Sequence, residues 1–444
     1  MDILDFDQLA KDLAAIPRSR RCGCVIAADG GAITIGGLTG WARIGDGIRV
    51  AKSPDGPGAR GEVISLSHEG ARAMILGVAE GVGLGDHVWL VPEAPLRPSD
   101  AWLGRVIDAY GVPLDGRSLD CGAKPAPLRR AAPPAATRGG LGARLRTGLA
   151  ALDTILPLAR GQRIGIFAGS GVGKSTLLSG LAREVSADVV VFALIGERGR
   201  ELGTFIDEGL GEEGMRRAVL VAATSDESPL ARRRAAWTAM AVAEHFRDQG
   251  RHVLLIVDSL TRFAEAHREI ALTAGETPSL RAYPPSTASM IAALAERAGP
   301  GGRRAGDGAI TGVFSVLVAG SDMEEPVADI TRGVLDGHIV MDRSIAERGR
   351  FPAIDVGRSV SRSLPGAATD QENTLIAEAR RLTLAYERAL PMVQTGLYQQ
   401  GSDAELDRAV ALHPALDAFF AAASPSPQKA FHELGAILDT DGSS

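Results

Sequence analysis

Short apolar runs separated by glycine-rich turns follow one another between Cys22 and about Val91. Several short strands at close spacing, divided by turn signals, are typical of a small antiparallel barrel. We therefore predict a β-barrel domain over residues 21–92. The six runs are Cys24-Val-Ile-Ala, Ala32-Ile-Thr-Ile, Gly47-Ile-Arg-Val, Gly61-Glu-Val-Ile, Ala73-Met-Ile-Leu and His87-Val-Trp-Leu.

Apolar residues at helical spacing precede the barrel, with Asp and Lys residues between them. This spacing predicts a helix over residues 1–20 with one apolar stripe. Such a stripe either packs on its own domain or docks on a partner helix, and the sequence favours neither. The stripe consists of Phe6, Leu9, Leu13 and Ile16.

A connector over residues 93–145 follows the barrel. Its second half, from Lys124 to Arg138, is rich in Pro, Ala and Arg. This composition predicts a mostly extended linker.

Residues 146–365 alternate continuous apolar runs with helix-like segments, which predicts a mostly parallel sheet with helices on both faces. A helix should open at Thr176, and others should cover Pro229–Asp248 and Ser286–Arg297, whereas the Gly/Arg segment 299–308 reads as a loop. The predicted strands are Ile164–Phe167, Val189–Leu194, Ala218–Ala222, Val253–Val257 and Val313–Val318.

Residues 366–444 are rich in Ala, Leu and Glu and predict a small terminal α-helical domain. Its helices should cover Gln371–Leu390, Ala404–Leu412 and Gln428–Leu438.

A glycine-rich loop lies between the strand ending at Phe167 and the helix opening at Thr176, which is the context of a phosphate-binding loop. Glycines let backbone N–H groups converge on phosphate oxygens, and the helix start adds its positive dipole end. Lys174 can reach the β and γ phosphates of a nucleotide, and Ser175 can bind Mg²⁺. Ala168 stands where the usual pattern has its first glycine, and a chance glycine-rich turn is the alternative. The predicted nucleotide-binding residues are Gly169, Ser170, Gly171, Val172, Gly173, Lys174, Ser175 and Thr176.

Two acidic segments follow predicted strands of the same sheet. Asp258 ends an apolar strand, where it could hold Mg²⁺ through water. Glu197 follows another strand and is our candidate for orienting or deprotonating a water in line with the γ phosphate. Arg198 would counter γ-phosphate charge, and Glu201 would orient magnesium-bound waters. An exposed charged turn explains the segment from Gly196 to Glu201 equally well.

Composition narrows the function classes. The 444 residues are 45% apolar and 23% charged, which is typical of a globular protein of two or three domains. A formal charge of −6 with 4% aromatic residues disfavours a nucleic-acid surface. Three cysteines form no disulfide framework and indicate a reducing compartment, with Cys22 and Cys24 expected as core residues on one strand face. An acidic start and the lack of a membrane-length apolar run favour a soluble, cytoplasmic protein.

Five motifs occur in the order found in the rotary and export ATPase superfamily, and the whole chain resembles its type III export branch, in particular the flagellar protein export ATPases. The resemblance to the flagellar proteins depends on three features: Gly199, the sequence Asp258-Ser-Leu-Thr-Arg-Phe-Ala264, and the sequence Gly396-Leu-Tyr-Gln-Gln-Gly-Ser-Asp403. The motifs are Gly169-Ser-Gly-Val-Gly-Lys-Ser-Thr176, Gly196-Glu-Arg-Gly-Arg-Glu201, Asp258-Ser-Leu-Thr-Arg-Phe263, Tyr283-Pro-Pro-Ser286 and Pro352-Ala-Ile-Asp-Val-Gly-Arg-Ser-Val-Ser-Arg362.

The resemblance implies an α/β fold: a small amino-terminal antiparallel β-barrel, a central RecA-like phosphate-loop domain with a parallel sheet, and a carboxyl-terminal α-helical domain. It implies ATP and ADP as nucleotides and Mg²⁺ as cofactor. Phe351 would stack on adenine where relatives usually have Tyr. Arg362 resembles the arginine finger that a neighbouring subunit places against the γ phosphate. The alternatives are a core Phe and a surface Arg.

Glu197 and Arg362 in one chain predict a homo-hexamer with complete sites at every interface. The resemblance further implies a regulatory or stator export protein bound at the amino-terminal helix, chaperone–cargo complexes, a membrane export gate, and association with the inner membrane. Alternatives are an injectisome ATPase, a catalytic subunit of a rotary ATP synthase, a Rho-type RNA translocase, and a nucleotide-binding scaffold without turnover.

Overall fold

The computed structural model describes residues 20–77, 79–279, 282–304, 306–318 and 322–440. The predicted amino-terminal stripe therefore lies outside the described residues. The chain divides into two compact units. Of the described residues, the first unit contains those up to Ala94 together with Glu227–Leu230 and His267–Pro278, and the second contains the others.

Six antiparallel strands close into a barrel in the first unit, as the sequence predicts. They pair in the circular order β1-β2-β5-β4-β3-β6. Alternate side chains point inward, so that Val25, Ile35 and Val63 lie buried at the centre. The strands are β1 (Cys22–Asp29), β2 (Ala32–Gly36), β3 (Gly47–Val50), β4 (Ala59–Leu66), β5 (Ala71–Ile75) and β6 (His87–Val91).

Cys22 and Cys24 share one face of β1, but that face is exposed, so the prediction that they are core residues is wrong. Gly23 and Val25 point inward instead. A Cβ atom on Gly23 would lie 2.5 Å from the Gly36 carbonyl oxygen, so position 23 has no room for a side chain inside the barrel. Because strand residues alternate, both cysteines must face outward.

Nine strands form the sheet of the second unit, in the order β15-β14-β8-β13-β11-β9-β10-β7, with β12 paired to β13. The strands are β7 (Arg105–Asp108), β8 (Arg163–Ala168), β9 (Val189–Ile195), β10 (Ala218–Ala223), β11 (His252–Asp258), β12 (Gly299–Pro300), β13 (Ala309–Leu317), β14 (Gly337–Met341) and β15 (Ile354–Ser361). The five predicted strands are confirmed as β8, β9, β10, β11 and β13.

Four strands of this sheet have no counterpart in the sequence prediction. The connector supplies β7, which pairs in parallel with β10 at one edge. The short β12 lies in the segment predicted as a loop. At the other edge β14 pairs in parallel with β8, and β15 runs antiparallel to β14. Polar residues interrupt β15, so its sequence lacks the continuous apolar run of a central strand.

Helices connect the strands, and the predicted helix after the glycine-rich loop is present. A π-helical segment, Phe205–Leu210, joins two of them. The helices are α1 (Ala150–Asp153), α2 (Lys174–Glu184), α3 (Gly199–Thr204), α4 (Gly211–Arg216), α5 (Pro229–Arg247), α6 (Leu260–Thr273), α7 (Ser286–Ala295), α8 (Pro326–Val334) and α9 (Arg343–Glu347).

Three helices end the described chain, as predicted: α10 (Asp370–Gln394), α11 (Ala404–Ala421) and α12 (Pro427–Leu438). Thr369 and Glu372 form a capping box that starts α10. Glu372 also forms an ion pair with Arg144, 2.9 Å away, which attaches the helix to the segment before α1. None of the helices in the described part of the chain is long and apolar enough to cross a membrane.

The strand directions determine where chemistry can occur. Strands β8, β13, β11 and β9 are neighbours and all run in parallel. Their carboxyl ends therefore meet at one edge of the sheet, where ligands bind in folds of this kind.

Candidate active site

The glycine-rich loop lies between β8 and α2. Gly171 and Gly173 adopt φ angles of 78° and 86°, which side chains disfavour, so glycine is required at both positions. Ala168 is the last residue of β8 and pairs with Leu317 and Met341. Its backbone is extended, so the alanine that replaces the first glycine of the usual pattern needs no positive φ.

A compact charged centre forms beside this loop. The Lys174 ammonium contacts Oδ1 of Asp258 and lies 3.9 Å from Oε1 of Glu197. The Lys174 side chain is 11% exposed and that of Asp258 is 5% exposed. The structure thus brings together three predicted site residues: Lys174 at the start of α2, Glu197 after β9 and Asp258 at the end of β11.

Ser315 belongs to this centre, although the sequence prediction did not include it. It lies on β13, fully buried, and its hydroxyl donates a hydrogen bond of 2.5 Å to Oδ1 of Asp258. The signal available in the sequence was a polar residue inside the apolar run Val313–Val318. Ser315 thus holds the Asp258 carboxylate from β13, the strand that lies between β8 and β11.

The backbone holds Glu197 at the end of β9. The Gly196 N–H donates to the Ala223 carbonyl, and the Ser225 N–H donates to the Glu197 carbonyl, at 2.7 and 3.0 Å. Burial raises the pKa of Glu197 to about 7, aided by a hydrogen bond with Glu201 and by the charge of Asp258, while Lys174 opposes the rise. A carboxylate with this pKa can accept a proton near neutral pH.

An open cavity of about 490 Å³ extends from the loop past Glu197. Glu201 lines it. Arg198 is exposed and is not among the lining residues, whereas Arg200 is. The lining residues are Ser175, Thr176, Ser179, Arg183, Leu194, Glu197, Arg200, Glu201, Thr204, Phe205, Glu208, Gly209 and Asp258.

Arg262, from the motif that follows Asp258, is a second residue that the prediction did not assign. A Cβ atom on Gly196 would lie 3.0 Å from Cγ of Arg262, so this side chain packs directly against the turn that carries Glu197. Its guanidinium donates to Glu265 at 2.8 Å. Its pKa is raised by this hydrogen bond first and also by the charge of Glu197.

Phe351 lies beside the loop. Its ring is 3.4 Å from the position that a Cβ atom on Gly173 would occupy, and the residue is 53% exposed. A half-exposed ring at the start of α2 presents a flat surface on which a nucleotide base can stack.

Arg362 lies at the other end of the sheet from the glycine-rich loop, at the level where the parallel strands β8 and β14 begin. It follows Ser361, which pairs with Gly337 at the beginning of β14, whereas the loop follows the end of β8. At about 3.3 Å per residue, the four residues from the level of Ile164 to Ala168 span about 13 Å. Arg362 is therefore not brought together with the loop of its own chain.

The oxygen atoms around the loop fit Mg²⁺. Among the described residues, no three His, Cys, Asp or Glu side chains are grouped closely enough to hold a metal ion by themselves. Magnesium seldom needs such a cage, because it retains waters and binds one or two carboxylates plus substrate phosphates. The Ser175 hydroxyl and the Asp258 carboxylate supply ligands of that type at one cavity wall.

A RecA-like sheet with a glycine-rich phosphate loop and a strand-end Asp beside it is the arrangement of a phosphate-loop nucleotide-binding protein. Residues 148–361 match the ATP synthase alpha/beta family, nucleotide-binding domain, and residues 368–423 match the T3SS EscN ATPase C-terminal domain. The chain belongs to this family, in its branch of flagellar and type III secretion ATPases.

Relatives match over nearly the full chain. The flagellum-specific ATP synthase of Caulobacter vibrioides is 47% identical over 429 residues, which cover 94% of this chain and 96% of that protein. The assembled ATPase EscN of the enteropathogenic E. coli type III secretion system is 35% identical, with a TM-score of 0.87, and covers 94% of this chain and 100% of its own. EscN in complex with its central stalk EscO gives a TM-score of 0.83 at the same identity and the same coverage of both chains.

Proposed function

We propose that this chain is a Mg²⁺-dependent ATPase that works as a homo-hexameric ring in flagellar protein export. The observation that carries the proposal is that the candidate catalytic residues lie at opposite ends of the strands. Lys174, Asp258 and Glu197 meet where the parallel strands end, and Arg362 is exposed where they begin. A complete site then needs two copies of the chain.

ATP would bind with its phosphates on the N–H groups of the loop and with adenine on Phe351. Lys174 would hold the β and γ phosphates, and Glu197 would orient a water and accept its proton. The water oxygen bonds to the γ phosphorus as the bond from that phosphorus to the β–γ bridging oxygen breaks, which releases ADP and phosphate. Ser175 and Asp258 would hold Mg²⁺, which would supply positive charge next to the phosphate oxygens. Glu201 would orient waters of that metal ion, and Arg198 would add positive charge from the turn.

Arg362 of a neighbouring copy would complete this site. An arginine that meets the equatorial oxygens from outside the loop contributes roughly 10³ to 10⁵ in rate. Because the chain carries both the Glu and the Arg, a ring of identical copies has a complete site at each interface. The assembled state of EscN supports a ring of this kind.

Mixed rings test the shared site. We expect Glu197→Gln and Arg362→Ala proteins each to lose most hydrolysis, by roughly 10² or more, while still binding ATP. Mixing them should restore activity, because some interfaces then combine an intact Glu197 with an intact Arg362. No restoration in rings that demonstrably contain both chains would refute shared catalysis.

The export role rests on the flagellum-specific relative. Turnover would release cargo from chaperones and deliver it to a membrane export gate, and residues 1–20 would dock a regulatory or stator export protein. We expect deletion of the gene to abolish flagellar filaments, and Lys174→Ala to reproduce the defect. Normal filaments in both strains would exclude this role. Intact binding of the regulatory protein after removal of residues 1–18 would exclude the docking site.

A second candidate is a non-flagellar type III secretion ATPase, favoured by the match of residues 368–423 to the EscN C-terminal domain. Loss of effector secretion with normal filaments would select it.

A catalytic subunit of a rotary synthase is distinguished by self-assembly, because it would need partner subunits to form a ring. RNA-independent turnover would exclude a Rho-type translocase, and any turnover that Glu197→Gln abolishes would exclude a scaffold.

A further inference from the structure

The two residues that flank Arg362 are both anchored in the protein interior. Ser361 and Ser363 are buried, and both hydroxyls donate to the Pro157 carbonyl, at 2.6 and 2.8 Å. The two hydroxyl oxygens are also 2.9 Å apart. Arg362 itself is exposed between them. The chain is therefore fixed on either side of the one residue that projects outward.

Gln162 connects this anchor to the backbone of Arg362. Its side chain is fully buried, and its amide nitrogen donates to the Ser361 hydroxyl at 2.9 Å and to the Asp336 carbonyl at 3.0 Å. The same Asp336 carbonyl accepts the N–H of Arg362 at 3.0 Å. The amide oxygen of Gln162 accepts a hydrogen bond from the Ala159 N–H. Every hydrogen-bonding group of the Gln162 amide is therefore used.

The segment from Leu335 to Gly337, which lies next to Arg362 at the start of β14, is equally constrained. The Asp336 carboxylate accepts hydrogen bonds from the backbone and guanidinium of Arg163, at 3.0 Å each. Gly337 adopts φ 142°, and a Cβ atom there would lie 2.5 Å from the Val360 carbonyl oxygen. The guanidinium of Arg362 donates to the Leu335 carbonyl at 3.3 Å. Both strands that meet at Arg362 are thus held in one arrangement.

We propose that Gln162, Ser361 and Ser363 are positioning residues for Arg362. An exposed arginine has large rotamer freedom, and catalysis by a neighbour's arginine requires its starting point to be fixed. The hydroxyls of Ser361 and Ser363 and the amide of Gln162 serve that purpose, because they donate to the Pro157 and Asp336 carbonyls on either side of Arg362. The inference rests on the proposed shared site.

The test removes the anchor and spares the arginine. We expect S361A/S363A to reduce kcat about tenfold, less than removal of the guanidinium, with KM for ATP within about twofold, since the variant's own loop is untouched. Ser359→Ala is the matched control. Ser359 is buried on the same strand and bonds Val340 and Asp355, outside the network. It should lose comparable thermal stability and keep kcat within about twofold.

Direction-specific complementation separates positioning from general damage. S361A/S363A should gain hydrolysis when mixed with Lys174→Ala, which supplies an intact Arg362, and should gain none with Arg362→Ala. Ser363→Thr keeps the hydroxyl and should retain activity. If S361A/S363A misfolds, Gln162→Met, which removes both donors at similar volume, takes its place in the same mixtures.

The outcomes distinguish the two proposals. If Arg362→Ala hydrolyses ATP normally, the shared site itself is refuted. If Arg362→Ala is inactive while S361A/S363A and Gln162→Met keep full kcat, positioning is refuted and the shared site stands. Equal gain with either mixing partner would also refute positioning, because it would show damage at both edges of the sheet.

Discussion

Phe351 and Arg362 lie at opposite ends of the same antiparallel strand. Phe351 precedes β15 at the level where Ile354 pairs with Met341 and Met341 pairs with Ala168, the last residue before the loop. Arg362 follows the strand at the level of Gly337. One strand thus has the Phe351 ring beside the glycine-rich loop at one end and Arg362 at the other end, where another copy would use the arginine in the proposed ring.

Removal of the Phe351 ring should weaken ATP binding. Stacking contributes about 0.5–1.5 kcal/mol beyond area burial, so we expect Phe351→Ala to raise KM for ATP about tenfold and change kcat little. Phe351→Tyr keeps the ring and should leave KM within about twofold. Steady-state kinetics with ATP give both values. An unchanged KM in Phe351→Ala would show that the base does not stack there.

Ser315→Ala should loosen the carboxylate that is proposed to hold Mg²⁺. The hydroxyl donates to Asp258, and loss of a partner behind a metal-binding group commonly costs about 10–100-fold in metal affinity. We expect the Mg²⁺ concentration for half-maximal hydrolysis to rise by about that factor. Thr311→Val, on the same strand but bonded to Gly161 and His252, is the control and should leave it unchanged. An unaltered Mg²⁺ dependence in Ser315→Ala would contradict this role.

The sequence predicts those parts of the candidate site whose residues are neighbours along the chain. The loop from Gly169 to Ser175 and the strand-end Asp258 could be identified because each depends on residues adjacent in the chain. The Asp258 partner Ser315 is 57 residues away, and only the pairing of β11 with β13 brings them together. The exposed cysteines of β1 likewise depend on a neighbouring strand, since Gly36 excludes a side chain at position 23.

All three cysteines should react in the folded protein. Cys22, Cys24 and Cys121 are exposed, so a thiol reagent should titrate three groups per chain without denaturant. Partial burial raises the pKa of Cys22, so at neutral pH its thiolate fraction is lower and we expect it to react more slowly than an ordinary thiol. Cys22→Ser and Cys24→Ser variants assign the phases. Titration of Cys121 alone would restore the interpretation of the other two as core residues.

The pH dependence of hydrolysis should report Glu197. The pKa of this carboxyl is about 7 in the folded protein, and only the deprotonated form accepts a proton from water. Below pH 7 the active fraction falls, so kcat/KM should decrease about tenfold for each pH unit and level off above that pH. A profile that stays flat from pH 5.5 to 8 would exclude Glu197 as the base.

Glu201→Gln identifies the titrating group, because ATP also titrates near neutral pH and could produce a similar profile. The hydrogen bond and charge of Glu201 raise the pKa of Glu197, whereas a neutral amide can donate to the carboxylate and favours its charged form. The acid limb of kcat/KM should therefore move to lower pH in the variant. Titration of ATP is the same for both proteins, so an unshifted limb would assign the pH dependence to the substrate and not to Glu197.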